Sequence, residues 1–108
     1  MAEDMFEQIR TQVNADRVVL YMKGTPEAPQ CGFSQTVCRA IEAVGGPYAT
    51  YNVLDDPALR EGIKQYSSWP TVPQLYVGGE FVGGCDIVVE LYKKGELENV
   101  LSGGGSTD

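Results

Sequence analysis

Five consecutive apolar residues, Val18-Val19-Leu20-Tyr21-Met22, constrain this chain more than any other stretch. A strand with one wet face alternates polar and apolar side chains, whereas an unbroken run suits a strand buried on both faces. Such a strand needs a layer of other elements above it and another below. The first candidate precedes it: Met5, Phe6, Ile9 and Val13 recur at helical spacing between Asp4 and Val13. Lys23 to Gln30, with Gly24, Pro26 and Pro29, reads as a loop. A second helix starts near Cys31, carries Phe33, Val37, Cys38, Ile41 and Val44 on its apolar positions, and stops at Gly45-Gly46.

Tyr48 to Val53 is rich in aromatic and β-branched residues and predicts a second strand. Asp55-Asp56-Pro57 starts a third helix, with an Asp cap, Pro in the first turn and Leu59, Ile63 and Tyr66 on the apolar face. Gln74–Val77 and Glu80–Val82 flank Gly78-Gly79, a two-residue hairpin turn. A fourth helix is expected from about Ile87 to Lys94, and Leu97 to Leu101 adds a short last turn. The strand–helix–strand half pairs in parallel through a right-handed crossover, and the hairpin half is antiparallel. Together they predict an α/β architecture, a four-stranded mixed sheet with helices on both faces. The 108 residues suffice for one domain, 1–101, followed by a flexible Gly/Ser tail, 102–108.

Charge and composition exclude several functions. Fifteen acidic and 8 basic side chains leave a net charge of −7, unsuited to a nucleic-acid partner, which would require clustered Lys and Arg. No apolar run approaches the roughly 18 residues of a membrane helix. The absence of histidine removes the Ser-His-Asp and Cys-His arrangements and any histidine metal ligand. The N-terminal Met1-Ala2-Glu3-Asp4 resembles neither a signal peptide nor a transit peptide, so a cytoplasmic location is expected. The mitochondrial matrix or a plastid is the alternative if a transit peptide has been removed.

Chemistry centres on three cysteines, 31, 38 and 85. Cys31 begins a helix after a Pro-rich loop, where free amides and the helix dipole stabilise a thiolate, and Lys23 adds positive charge nearby. A dithiol oxidoreductase would carry a second cysteine three positions on; here that residue is Ser34. Cys38 lies seven residues along the helix, roughly 10 Å by helical rise, beyond the ~7 Å that a disulfide spans, and belongs to the core stripe. Cys85 follows Gly83-Gly84 at a turn into a helix and is open to three roles: resolving thiol, ligand contact or bystander. Thr71-Val72-Pro73 precedes a strand. A cis bond there would free the backbone before the proline to pair with an extended peptide; the alternative is an ordinary turn proline.

Lys23-Gly24-Thr25-Pro26, Cys31-Gly32-Phe33-Ser34, Trp69-Pro70-Thr71-Val72-Pro73 and Gly83-Gly84-Cys85-Asp86 occur in order. From about residue 4 to 101 the chain resembles the monothiol (CGFS-type) glutaredoxins. The resemblance implies a thioredoxin fold, glutathione binding and a homodimer bridged by a [2Fe-2S] cluster. It implies that Cys31 ligates the cluster and is the redox-active thiol. By the same resemblance Lys23 and Arg60 grip the glycine carboxylate of glutathione, Val72 pairs with its cysteinyl backbone, and Cys85 and Asp86 meet its γ-glutamyl end. The expected function is cluster transfer to apo acceptor proteins in iron–sulfur assembly. The alternatives are a weak glutathione-dependent thiol–disulfide oxidoreductase, and an iron-sensing module with a BolA-type partner that supplies the missing histidine.

Overall fold

The structure, a computed structural model, describes residues 2–103; the part of the expected tail from 104 to 108 lies outside them. In chain order the elements are α1 (Ala2–Ala15), β1 (Val18–Met22), α2 (Gly32–Val44), β2 (Ala49–Asn52), a 3-10 turn (Val53–Asp55) and α3 (Pro57–Ser67). Then come β3 (Gln74–Val77), β4 (Glu80–Gly83), α4 (Cys85–Lys93) and α5 (Leu97–Leu101). The sheet order is β2-β1-β3-β4, with β1 parallel to β2 and antiparallel to β3, and β3 antiparallel to β4. This is the expected mixed sheet.

All five residues of β1 are buried, and the period of two divides them between two cores. Val18, Leu20 and Met22 pack with Val37, Cys38 and Ile41 of α2, Val88 of α4 and Leu97 and Leu101 of α5. Val19 and Tyr21 face the other way, onto Ile9 and Val13 of α1 and Leu59 and Ile63 of α3. On that side Tyr21 stacks on Tyr51 at 5.3 Å between ring centres and meets Tyr76 edge-on at 5.7 Å. The unbroken apolar run is thus the midline of a three-layer domain. Cys38 sits fully buried, its thiol 3.4 Å from the Met22 sulfur, as its place on the apolar stripe requires.

Several element boundaries differ from the sequence expectation by one or two residues. Helix α1 runs from Ala2 to Ala15 rather than from Asp4 to Val13. The second strand stops at Asn52, because the Asn52 side chain accepts from the Leu54 N–H and turns the chain into the 3-10 segment. Helix α4 begins at Cys85 rather than near Ile87: Gly84 caps it with extended backbone and no side-chain hydrogen bond, so no capping side chain marks the start. Elsewhere local chemistry matched. Asp56 caps α3 through the Leu59 N–H at 3.1 Å. Gly78 and Gly79, at φ +61° and +84°, close the hairpin in the conformation that tight hairpins need.

The loop after β1 depends on Gly24. Its φ is +93°, and a Cβ there would lie 2.6 Å from both the Ala28 carbonyl oxygen and the Gln30 nitrogen. Both obstacles are backbone, so neither can rotate aside. Gly32, in the first turn of α2, has open space around it. Gly24→Ala should therefore cost about 2 kcal/mol or more and lower the melting temperature by roughly 10 °C. Gly32→Ala should leave stability within about 0.5 kcal/mol. Thermal unfolding of both variants checks the contrast; equal melting temperatures would refute it.

Candidate functional site

The strand directions gather the site. Chain leaving the carboxyl end of β1 enters the Lys23–Gln30 loop and α2; chain leaving the carboxyl end of β2 enters α3. Met22 pairs with Asn52, so those exits are neighbours. β3 runs antiparallel to β1, with Gln74 opposite Tyr21, so the Val72-Pro73 segment arrives at the same end. β4 leaves at that end too, with Gly83 opposite Leu75, and delivers Cys85 and Asp86. Lys23, Cys31, Arg60, Val72, Cys85 and Asp86 therefore all lie at one end of the sheet.

Cys31 is the N-cap residue of α2, in extended backbone conformation (φ −155°, ψ 134°), and is half-buried. Its pKa is held below that of an ordinary thiol. The Ser34 backbone N–H contributes most, against the opposing effect of burial, followed by the Phe33 N–H, the Lys23 ammonium and the Ser34 hydroxyl. Ser34, standing where a second thiol would be, is fully buried, and its hydroxyl accepts the Lys23 N–H at 3.0 Å. That bond ties the first turn of α2 to the end of β1 and keeps Lys23 beside the thiol.

Cys85 opens α4 near enough to Cys31 for their charges to interact. Its own pKa is raised, first by burial, then by the negative charges of Asp86 and Cys31. The two thiols are thus shifted in opposite directions, Cys31 below and Cys85 above the ordinary thiol value. The Val72–Pro73 bond is cis and Val72 is buried, whereas Asp86 is exposed. Lys23 and Arg60 are half-buried and free of carboxylate partners; the ion pairs among the described residues are Arg10–Glu7, Arg39–Glu42 and Lys94–Glu90 on the surface. The Arg60 Nε is buried without a hydrogen-bond partner among the described residues. A cavity of about 500 Å³ lies at the other end of the sheet beside Arg17, Pro47, Tyr48 and Leu101, and no thiol lines it.

Sequence reasoning missed the side chains that hold these loops. The Asn52 carboxamide oxygen accepts the Gly24 N–H at 2.9 Å as well as that of Leu54, joining the β1 loop to the approach to α3. Gln74, fully buried, donates to the carbonyls of Trp69 and Thr71 at 3.2 and 3.1 Å. Polar residues at strand ends were the available signal: Gln74 opens an apolar strand whose other residues are Leu75, Tyr76 and Val77.

A family model described as glutaredoxin matches residues 18–82. Over 94% of its length the chain is 52% identical to the chloroplastic monothiol glutaredoxin-S7 of Oryza sativa subsp. japonica, of which it covers 60%. It is 46% identical to the mitochondrial monothiol glutaredoxin-5 of Saccharomyces cerevisiae, with 94% of this chain and 69% of that one covered. The solution structure of reduced poplar apo GrxS14 matches with a TM-score of 0.78 at 50% identity, covering 90% of this chain and 89% of that one. Those neighbours share the thioredoxin fold derived above. With one low-pKa thiol at the start of α2 and Ser34 in place of a second, the chain belongs to the glutaredoxin family and, within it, to the monothiol glutaredoxins.

Proposed function

We propose that this chain binds glutathione beside Cys31 and, as a dimer holding two glutathiones, carries a [2Fe-2S] cluster to apo acceptor proteins. The observation that carries the reading is the solitary thiolate. The described residues contain no group of three or more metal-ligating side chains, yet Cys31 is a half-exposed thiol of lowered pKa. Such a cluster takes four thiolates. Two chains and two glutathiones supply four, which fits the donor set. Two of the four are then small exchangeable thiols, which suits release over storage.

The chain's own residues would hold glutathione by charge and backbone pairing. The unpaired ammonium of Lys23 and the guanidinium of Arg60 complement its glycine carboxylate. The Val72 peptide pairs with the cysteinyl backbone. The Asp86 carboxylate, with Cys85 and the first amides of α4, meets the γ-glutamyl end. A BolA-type protein is the proposed heterodimer partner, able to bring the histidine that this chain lacks. No helix among the described residues is long and apolar enough to cross a membrane.

The lowered pKa of the half-exposed Cys31 thiol also fits a second reading, removal of glutathione from protein thiols. The Cys31 thiolate attacks the glutathione sulfur of a protein–glutathione disulfide, the S–S bond breaks, and the protein leaves as thiolate. Cys31 is then disulfide-bonded to glutathione until a second glutathione thiolate attacks that bond, releasing oxidised glutathione and restoring Cys31. With Ser34 unable to form an internal disulfide, turnover is expected to be weak.

Three outcomes test these readings. Cys31→Ser should abolish cluster reconstitution from iron, sulfide and glutathione, whereas Cys38→Ser should keep it; the holo-protein should size as a dimer and fail to form without a small thiol. A Cys31→Ser protein with full iron and sulfide content would overturn the ligand assignment. Alkylation by iodoacetamide followed across pH should rise at lower pH for Cys31 than for Cys85, because the thiolate reacts and only Cys31 has a lowered pKa. Coincident profiles would contradict the electrostatic account. Lys23→Gln and Arg60→Gln should each weaken glutathione binding about tenfold to a hundredfold, the worth of a charge-assisted hydrogen bond of roughly 1.5–3 kcal/mol. Part of that loss should fade at high salt. Wild-type affinity in both variants would place the carboxylate elsewhere.

A further inference from the structure

Ser34 and Gln74 are the two fully buried polar side chains among the described residues, and both are bonded to backbone at the site end of the sheet. Burying a carboxamide is costly unless its donors and acceptor are all satisfied. Gln74 meets that condition. Its NH2 donates to the carbonyls of Trp69 and Thr71, and its Oε1 accepts the Tyr76 hydroxyl at 3.2 Å. The Tyr76 bond fixes which end of the amide faces the loop, since a hydroxyl bonded to Oε1 leaves the nitrogen for the carbonyls.

The Thr71 carbonyl belongs to the same peptide plane as the Val72 N–H. That peptide is trans, because the cis bond is the next one, and in a trans peptide C=O and N–H point in opposite directions. Drawing the Thr71 oxygen inward onto Gln74 therefore turns the Val72 N–H away from Gln74 and out of the sheet end. The buried Val72 side chain, packed in the same α1/α3 core as Tyr76, also anchors the segment. We propose that Gln74 is a positioning residue: its carboxamide, oriented by Tyr76, aims the Val72 N–H at the backbone carbonyl of an extended peptide ligand. This rests on the reading that glutathione docks along Val72, and it makes the cysteinyl carbonyl the acceptor. Gln74 itself need touch no ligand atom.

The test uses Gln74→Glu, which keeps the acceptor for Tyr76 but has no NH2, and Tyr76→Phe, which keeps the NH2 but releases its anchor. Affinities for glutathione and for γ-glutamylcysteine, which lacks the glycine carboxylate, are measured by calorimetry well below each variant's melting temperature. Gln74→Glu should lose about tenfold or more for both ligands and Tyr76→Phe a smaller factor for both, because the altered contact is at the cysteinyl backbone they share. Lys23→Gln is the contrast: its loss should appear with glutathione and vanish with γ-glutamylcysteine. Wild-type affinity in folded Gln74→Glu, or a Gln74→Glu loss confined to glutathione, would overturn the proposal. If Gln74→Glu does not fold, Tyr76→Phe decides by the same two criteria. Failure of the wild-type chain to bind either ligand would instead overturn the docking reading on which the proposal stands.

Discussion

The burial of β1 on both faces is the constraint from which the rest follows. A strand with Val18, Leu20 and Met22 in one core and Val19 and Tyr21 in the other has no wet side on which to display chemistry. Function is forced to the strand ends, where the sheet's hydrogen bonding stops and backbone groups need new partners. At the carboxyl end of β1 those partners are side chains: Ser34 for Lys23, Asn52 for Gly24, Gln74 for Trp69 and Thr71. The loops that carry the site are therefore tied to the packed layers beneath them.

Electrostatics at this end runs against the molecule as a whole. The chain carries a net charge of −7, which by itself would disfavour another anion. Locally the balance reverses, because the amides and the cation beside Cys31 act through less water than do scattered surface carboxylates, which solvent and salt screen. Two backbone N–H groups, Lys23 and the Ser34 hydroxyl outweigh the burial of Cys31. Cys85 also opens a helix, one position past its cap rather than at it, and there burial first, then the charges of Asp86 and Cys31, leave the thiol with a raised pKa. Burial and neighbouring charge, rather than the helix start alone, decide which thiol ionises.

The sequence made the architecture readable because its signals were local: an unbroken apolar run, a Gly-Gly hairpin, an Asp-Pro helix start. It also marked Cys31 and, through the family resemblance, the set of residues that the strand directions bring to one end. The clamps were marked only by polar residues at strand ends, with nothing to name their partners. Asn52 meets Gly24 from 28 positions away, and nothing near either residue announces the bond. Gln74 opens a strand and reads as an ordinary polar residue until its carbonyl partners, which come from an irregular loop, are placed in space. The start of α4 was misplaced for a related reason: a glycine cap carries no side chain that could signal it.

Trp69 is the chain's single tryptophan, and it lies across the site. Its carbonyl is held by Gln74, its ring meets Phe81 at 5.6 Å, and its indole Nε1 is 3.0 Å from where a Cβ on Gly84 would stand. One residue thus spans the loop that ends at Val72 and the turn that delivers Cys85. The indole is more than a third exposed, so anything lodged between those two segments alters the medium around it. A ligand held there would change the surroundings of this one ring, so its ultraviolet emission would signal binding with no label attached and no other indole to confuse the reading.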